Sequence, residues 1–361
     1  MIAKRLLRPL LLILLLAIAL IGAAVGVGYG LPMSSQMIYT KTFDSVDIRT
    51  VSIFLRDTSR NIDQRLTREQ GVNALADWSP DGQQIVYLSF NSDNVFHVYL
   101  MDAQGSHKRR LALEFDNVDS TPSWSPDGQW ILISGSTQGV YKTVLFNLVS
   151  EKSFAIPKYI AGRMRWSPDS QSIFYLANGE DGLDHLFGLN ISCLSAVESC
   201  QFAELNLLPN ESVYSGPTWS PDGKFFAFSK YENDKAQVAI GHMRCSELKA
   251  SCIDSVQVIA DTSMLDFSPI WSPDDKQLAF VEDHYQFNFY QIETGATRSI
   301  TITGIYPFLK DWSPDGRFVA FLSEQDGIGN TYLLDVMSGE TRPLLTDQVT
   351  SEFPKWRPMP R

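Results

Sequence analysis

Six copies of Trp-Ser-Pro-Asp, beginning at Trp78, Trp124, Trp166, Trp219, Trp271 and Trp312, recur along the chain, and an altered seventh reads Phe353-Pro354-Lys355-Trp356-Arg357-Pro358. Successive tryptophans are 46, 42, 53, 52, 41 and 44 residues apart. A repeat of roughly 40–50 residues is long enough for one four-stranded sheet and too short for an independent domain, so its apolar faces must be buried by the next copy. That spacing is the period of a β-propeller blade. A chain of 361 residues would otherwise suggest two or three domains, but the period argues for one large closed unit.

Residues 74 to 113 serve as the template of one copy. Ala74 to Trp78 reads as an inner strand, and Ser79-Pro80-Asp81-Gly82 places Ser, Pro, Asp and Gly at the four positions of a type I turn that favour them. Gln84 to Ser89, Val95 to Met101 and Arg110 to Leu113 then read as the second, third and outer strands. Both faces of these strands carry apolar residues, as sheets packed on each side require.

Residues 36–67 hold three strands in the same order, Gln36 to Tyr39, Val51 to Leu55 and Gln64 to Thr67, but lack an inner one. The C-terminal segment 353–357, around Trp356, supplies it. The expectation is therefore an all-β, seven-bladed β-propeller spanning residues 32–361, its first blade assembled from both chain ends so that no edge strand stays exposed. A six-bladed ring with the terminal segments outside it is the alternative. The recurring tryptophans are assigned to blade packing, because large aromatics dominate such interfaces.

The Trp-Ser-Pro-Asp-Gly turn, followed by an apolar strand, a strand ending near Asp and then Arg-Leu-Thr, resembles the Trp-Asp-40-like (PD40) repeats of the TolB family. The resemblance covers nearly everything after residue 35. It implies an extracytoplasmic binding scaffold and is specific for fold rather than function, since such repeats also occur in propellers of prolyl oligopeptidase relatives and of polysaccharide lyases. TolB carries an α/β domain ahead of its propeller, whereas this chain offers an apolar segment and a short stalk there. The nearest string to a hydrolase nucleophile elbow, Gly135-Ser136-Thr137-Gln138-Gly139, has Thr in place of the nucleophilic Ser.

Lys4, Arg5 and Arg8 precede an uncharged run from Pro9 to Tyr29. At ~1.5 Å rise per residue this run reaches about 30 Å, the thickness of a bilayer core. Residues 1–8 are expected to be a cytoplasmic stub and residues 9–31 a transmembrane signal anchor, with the propeller in the periplasm or outside the cell. A cleaved signal peptide ending near Gly22-Ala23-Ala24 is the competing reading. The net charge of −11 comes from 41 acidic and 30 basic residues, with no basic cluster beyond the N-terminus and Lys108-Arg109-Arg110, so nucleic acid is excluded as a partner. Cys193 and Cys200, and Cys245 and Cys252, are matched pairs with six residues between them. Outside the cytosol such an even set implies disulfides, with pairing inside each hairpin expected among the three possible connectivities. A zinc site would call for closer knuckle spacing.

The turn aspartates Asp81, Asp127, Asp169, Asp222, Asp274 and Asp315 sit on different blades and are read as turn caps rather than metal ligands. His97 and His185 fall in third strands, His107 in an outer hairpin and His242 late in a third strand, leaving His284 on the rim of the ring. That rim is the expected binding surface, drawing on Asp116, Asp119, Glu211, Asp261, Asp266, His284, Tyr306 and Glu352. A second contact surface is the pair of cysteine hairpins, residues 190–203 and 243–254, on the opposite face. No catalytic residue, metal or cofactor is assigned. The expected function is a membrane-anchored, non-catalytic module that binds a protein, a peptide or an envelope glycan; an envelope polysaccharide lyase or hydrolase working at the channel mouth is the alternative.

Overall fold

The computed structural model describes residues 35–44, 49–69, 71–90, 95–156, 158–160, 164–179, 181–193, 202–232, 235–244, 252–262, 269–282, 285–302, 307–325, 328–345 and 351–359. The expected anchor at 9–31 lies outside them, and among the described residues no helix is long and apolar enough to cross a membrane. What is described is all-β, a β-propeller.

One sheet has eight strands: β1 (Gln36–Asp44), β2 (Arg49–Asp57), β3 (Ile62–Arg65), β4 (Val72–Trp78), β5 (Gln84–Phe90), β6 (Phe96–Asp102), β7 (Arg109–Phe115) and the last strand of the chain, β29 (Ser351–Trp356). The next contains β8 (Asn117–Val118) and β9 (Ser123–Trp124), two pieces of one interrupted inner strand on β10 (Trp130–Thr137), followed by β11 (Val140–Asn147) and β12 (Ser153–Ile156). Four four-stranded sheets follow in chain order. They are β13 (Arg165–Trp166) to β16 (Ala203–Asn206), through β14 (Ser172–Asn178) and β15 (Asp184–Asn190), and β17 (Val213–Trp219) to β20 (Ile253–Thr262), through β18 (Phe225–Glu232) and β19 (Lys235–Met243). The last two are β21 (Ile270–Trp271) to β24 (Thr297–Thr301), through β22 (Gln277–Glu282) and β23 (Gln286–Gln291), and β25 (Phe308–Trp312) to β28 (Thr341–Pro343), through β26 (Phe318–Gln325) and β27 (Ile328–Asp335).

Separate sheets for every repeat are not observed. Val51 and Val72 form a parallel bridge between β2 and β4, and the Val51 N–H donates to the Gly71 carbonyl at 3.1 Å. Gly71, at φ 105°, turns the chain so that the two strands meet, and the groups β29-β1-β2-β3 and β4 to β7 become one sheet. Within the first group Met37 pairs with Trp356 and Ile38 with Lys355.

Apolar clusters fill the spaces between successive groups. Leu111, Leu113 and Phe115 of β7 meet Trp124, Ile131 and Phe146 of the next sheet. Met37, Tyr39 and Trp356 meet Ala320, Leu333 and Leu344 across the junction of the chain ends. Phe226, Phe228, Phe280, Phe287 and Phe321 are fully enclosed, each contributing about 1.5–3 kcal/mol by burial.

The Trp-Ser-Pro-Asp turns explain their own recurrence. Ser79 Oγ donates to Asp81 Oδ1 at 2.6 Å, Asp81 Oδ1 accepts the Gln83 N–H at 3.0 Å, and Ser79 Oγ accepts the Gln84 N–H at 2.8 Å. The same three bonds recur around Ser125, Ser167, Ser220, Ser272 and Ser313. After the Asp the chain enters the left-handed region, at Gly82 in the first copy, whereas two copies place Ser170 and Asp275 there, at φ 62° and 63°. Each of those side chains accepts a backbone N–H from the preceding turn, Ser170 Oγ from Asp127 at 3.0 Å and Asp275 Oδ1 from Asp222 at 2.8 Å. An inter-blade bond thus offsets the strain that glycine avoids.

Three inner strands bulge three residues before the tryptophan. Leu75, Gly216 and Phe353 have φ of 52°, 107° and 54°, next to register shifts in their ladders. A bulge re-aims the residues that follow it. A Cβ on Gly216 would stand 3.0 Å from both the Ala227 carbonyl oxygen and the Phe228 Cα, so Gly216→Ala should destabilise the domain by about 1–3 kcal/mol, read as a lower denaturant midpoint. An unchanged midpoint would mean that the bulge can flatten.

Candidate functional site

One residue of each inner strand faces the centre. The residue immediately before each tryptophan is Asp77, Ser123, Arg165, Thr218, Ile270, Asp311 or Lys355, and all seven line one cavity of about 610 Å³. These side chains also tie neighbouring blades. Asp77 Oδ2 accepts the Trp124 N–H at 3.1 Å, Asp311 Oδ2 accepts the Trp356 N–H at 2.6 Å, and Thr218 Oγ1 donates to the Pro269 carbonyl at 2.8 Å. The indole N–H of Trp271 donates to the Thr218 carbonyl at 2.9 Å and that of Trp78 to the Lys355 carbonyl at 3.2 Å.

The cavity is charged in both signs. Lys355 Nζ pairs with Asp77 Oδ1, and Lys310 lies on the same wall. Arg165 is accessible from the cavity, yet protein packs densely around it; this desolvation pulls its pKa down, against the pull of Asp77. Burial pushes the Asp311 carboxyl up to about 6, although N–H groups of Trp356 and Trp312 and the charge of Lys355 work the other way. Between about pH 4 and about 6 the folded chain therefore holds a proton there that an unfolded Asp has released. Its stabilising contribution is complete below about pH 4 and is lost as pH rises through about 6. Asp311→Asn should flatten that part of the stability profile, measured as apparent Tm between pH 4 and pH 7; an unaltered profile would remove Asp311 as its source.

A second hollow, of about 780 Å³, lies among the proline turns, with Pro80, Pro126, Pro168 and Pro221 around it. It offers mainly turn residues whose polar atoms are already engaged in the capping bonds described above.

The residues expected on the rim are scattered. Asp119 borders the cavity, where its Oδ2 accepts the Tyr159 hydroxyl at 2.8 Å; burial, followed by this bond, pushes Tyr159 up to about 12. Asp116 accepts the Gln138 N–H. Glu211 pairs at 2.8 Å with the buried Lys230, which Glu232 also contacts at 2.9 Å. Asp261 lies in the outer strand β20, not in a connection, and pairs with Lys235 at 3.0 Å. Glu352 lies in β29. Asp266, His284 and Tyr306 lie outside the described residues, as do Cys200 and Cys245, so neither expected disulfide pair falls wholly within them.

His97 and His185 are in β6 and β15, buried. His185 Nε2 contacts Asp181 Oδ1 at 2.9 Å, and this bond holds its pKa above the ordinary imidazole value. Among the described residues no three His, Cys, Asp or Glu side chains converge as metal ligands would. The channel ring itself was absent from the expected site, because its seven residues share no common chemistry; the signal was position, one residue before each recurring Trp.

An uncharacterized protein of Agrobacterium fabrum is 28% identical over 160 residues, which are 43% of this chain and 53% of that relative. The chain thus spans about half the length of that curated relative. The crystal structure of TolB from Acinetobacter baumannii aligns with a TM-score of 0.53 at 17% identity, covering 90% of this chain and 83% of that one. Oligogalacturonate lyase from Vibrio parahaemolyticus aligns with a TM-score of 0.60 at 10% identity, covering 86% and 94%. At such identities the two structures show a shared propeller fold. The TolB beta propeller domain model matches residues 49–201 and 194–360, most of the chain, and the chain belongs to that family.

Proposed function

We propose that this chain is a membrane-anchored, extracytoplasmic binding module that receives a partner at the mouth of its central channel. In this reading residues 9–31 are the anchor, residues 32–361 the propeller, and the eight-stranded sheet counts as two blades, giving seven. The partner is a protein, a peptide or an envelope glycan, met by Asp119 together with Asp116, Glu211, Asp266, His284, Tyr306 and Glu352. Cys193–Cys200 and Cys245–Cys252 stiffen hairpins on the far face.

The observation that carries the reading is the cavity ringed by one residue from each of the seven inner strands, polar and apolar side by side. Pockets of several hundred cubic ångströms with a few placed polar groups are the usual form of a recognition site. A photo-crosslinking residue at Thr121, on the cavity wall, is expected to give a discrete adduct from intact membranes, and one at Val149, which is 81% exposed on an outer turn, is not. Identical adducts from both positions, or none from Thr121, would remove the channel as the contact surface.

A further inference from the structure

We propose that the channel ring is a carboxylate-binding site, anchored by Arg165, for an acidic side chain of an extended polypeptide; this rests on the channel-mouth reading above. The hydrogen-bonding inventory of the cavity is lopsided. Its three described carboxylates have both oxygens engaged within the protein. Asp77 takes Lys355 and the Trp124 N–H, Asp119 takes Asn117 Nδ2 at 3.2 Å and the Tyr159 hydroxyl, and Asp311 takes the Trp312 and Trp356 N–H groups. Arg165 is not similarly spent. Among the described residues Arg165 makes one hydrogen bond, from Nη1 to the Met164 carbonyl at 2.9 Å, out of the five N–H groups a guanidinium carries. A ligand entering here meets a guanidinium with N–H groups to spare.

A planar oxyanion matches the guanidinium fork in a two-bond arrangement, and the dense protein around Arg165 strengthens such a pair relative to water. The overall charge of −11 gives an anion no general attraction to this molecule, so recognition must come from the local donors. A polypeptide is favoured over an acidic glycan by the rest of the wall. Leu75, Met164, Ile270 and Leu309 present apolar surface beside the charged ring, suited to the side chains flanking an acidic residue, and among the described residues of the lining Phe353 is the one aromatic ring on which a sugar could stack.

The test is calorimetric titration of the full-length protein in detergent with three probes: acetylated and amidated Leu-Glu-Leu, its Leu-Gln-Leu isostere, and trigalacturonate. The glutamate peptide is expected to bind about tenfold or more tightly than the glutamine peptide, the difference expected of a charge-assisted pair. That preference should vanish in Arg165→Gln and be intermediate in Arg165→Lys, which keeps the charge but loses the fork. Equal binding of the two peptides by the unaltered protein overturns the carboxylate site while leaving the crosslinking result from Thr121 intact. Tighter binding of trigalacturonate than of the glutamate peptide overturns the polypeptide assignment, and no binding of any probe overturns the proposal. If Arg165→Gln does not fold, the comparison of peptides on the unaltered protein and on Arg165→Lys decides.

Discussion

Replacing Trp356 with alanine is expected to cost about 3–5 kcal/mol of stability, the range for deleting a large aromatic from a packed core. Trp356 is 4% exposed and packs against Met37, Tyr39, Leu333 and Leu344, at the one junction where the two ends of the chain meet. Its neighbour Arg357 fastens the same junction. The Arg357 guanidinium donates to the Gly82 carbonyl at 2.7 Å and to Gln36 Oε1 at 2.6 Å, and lies over the Trp78 ring at 5.4 Å. A cavity here therefore weakens packing and leaves the last strand held by its ladder and by the polar contacts of Lys355 and Arg357. Chemical denaturation followed by circular dichroism would measure it, with the exposed Val149→Ala as a control expected within about 0.5 kcal/mol of the unaltered protein. A Trp356→Ala midpoint matching that control would show that the ring does not depend on this seam.

Asp77→Ala is expected to destabilise by about 2–4 kcal/mol, mostly through the Trp124 N–H that loses its acceptor in a buried setting. Loss of the Lys355 pair adds less, roughly 1 kcal/mol or below, because the lysine side chain is half exposed to the cavity and solvent screens it. The two contributions separate in a double-mutant cycle. In a Lys355→Met background the cost of Asp77→Ala should fall by the pair energy alone, leaving most of the loss in place. If the cost instead disappears in that background, the ion pair and not the inter-blade hydrogen bond is what Asp77 supplies.

Much of the fold was legible because its signal is local chemistry. A serine, a proline and an aspartate in succession can satisfy a turn and three hydrogen bonds within six residues, so the motif survives in readable form in six copies. The inner strands were legible for the same reason, since each ends at one of the recurring tryptophans. The bridge between Val51 and Val72 was not legible. It depends on how close two strands come after Gly71 turns the chain, and no residue type at either valine signals a parallel pair.

The site was harder to read. Searching for acidic rim residues found Asp119, whose place on the cavity wall follows from the interruption between β8 and β9. It misplaced Asp261, because β20 runs for ten residues and carries that carboxylate to the edge of an outer strand. It missed Arg165 and Lys355, which line the cavity from variable positions one residue before the recurring tryptophans, Lys355 after the bulge at Phe353.

The bridge between β2 and β4 bears on how the chain is made. Synthesis delivers β1 long before β29, so the strand that finally pairs with Met37 is absent while most of the protein is being produced. Through Val51 and Val72, the early strands can dock on the first complete four-stranded group, while the edge of β1 that β29 covers stays open until the last strand is made. The bridge thus joins the early strands to the body of the sheet from one side, and β29 closes them from the other.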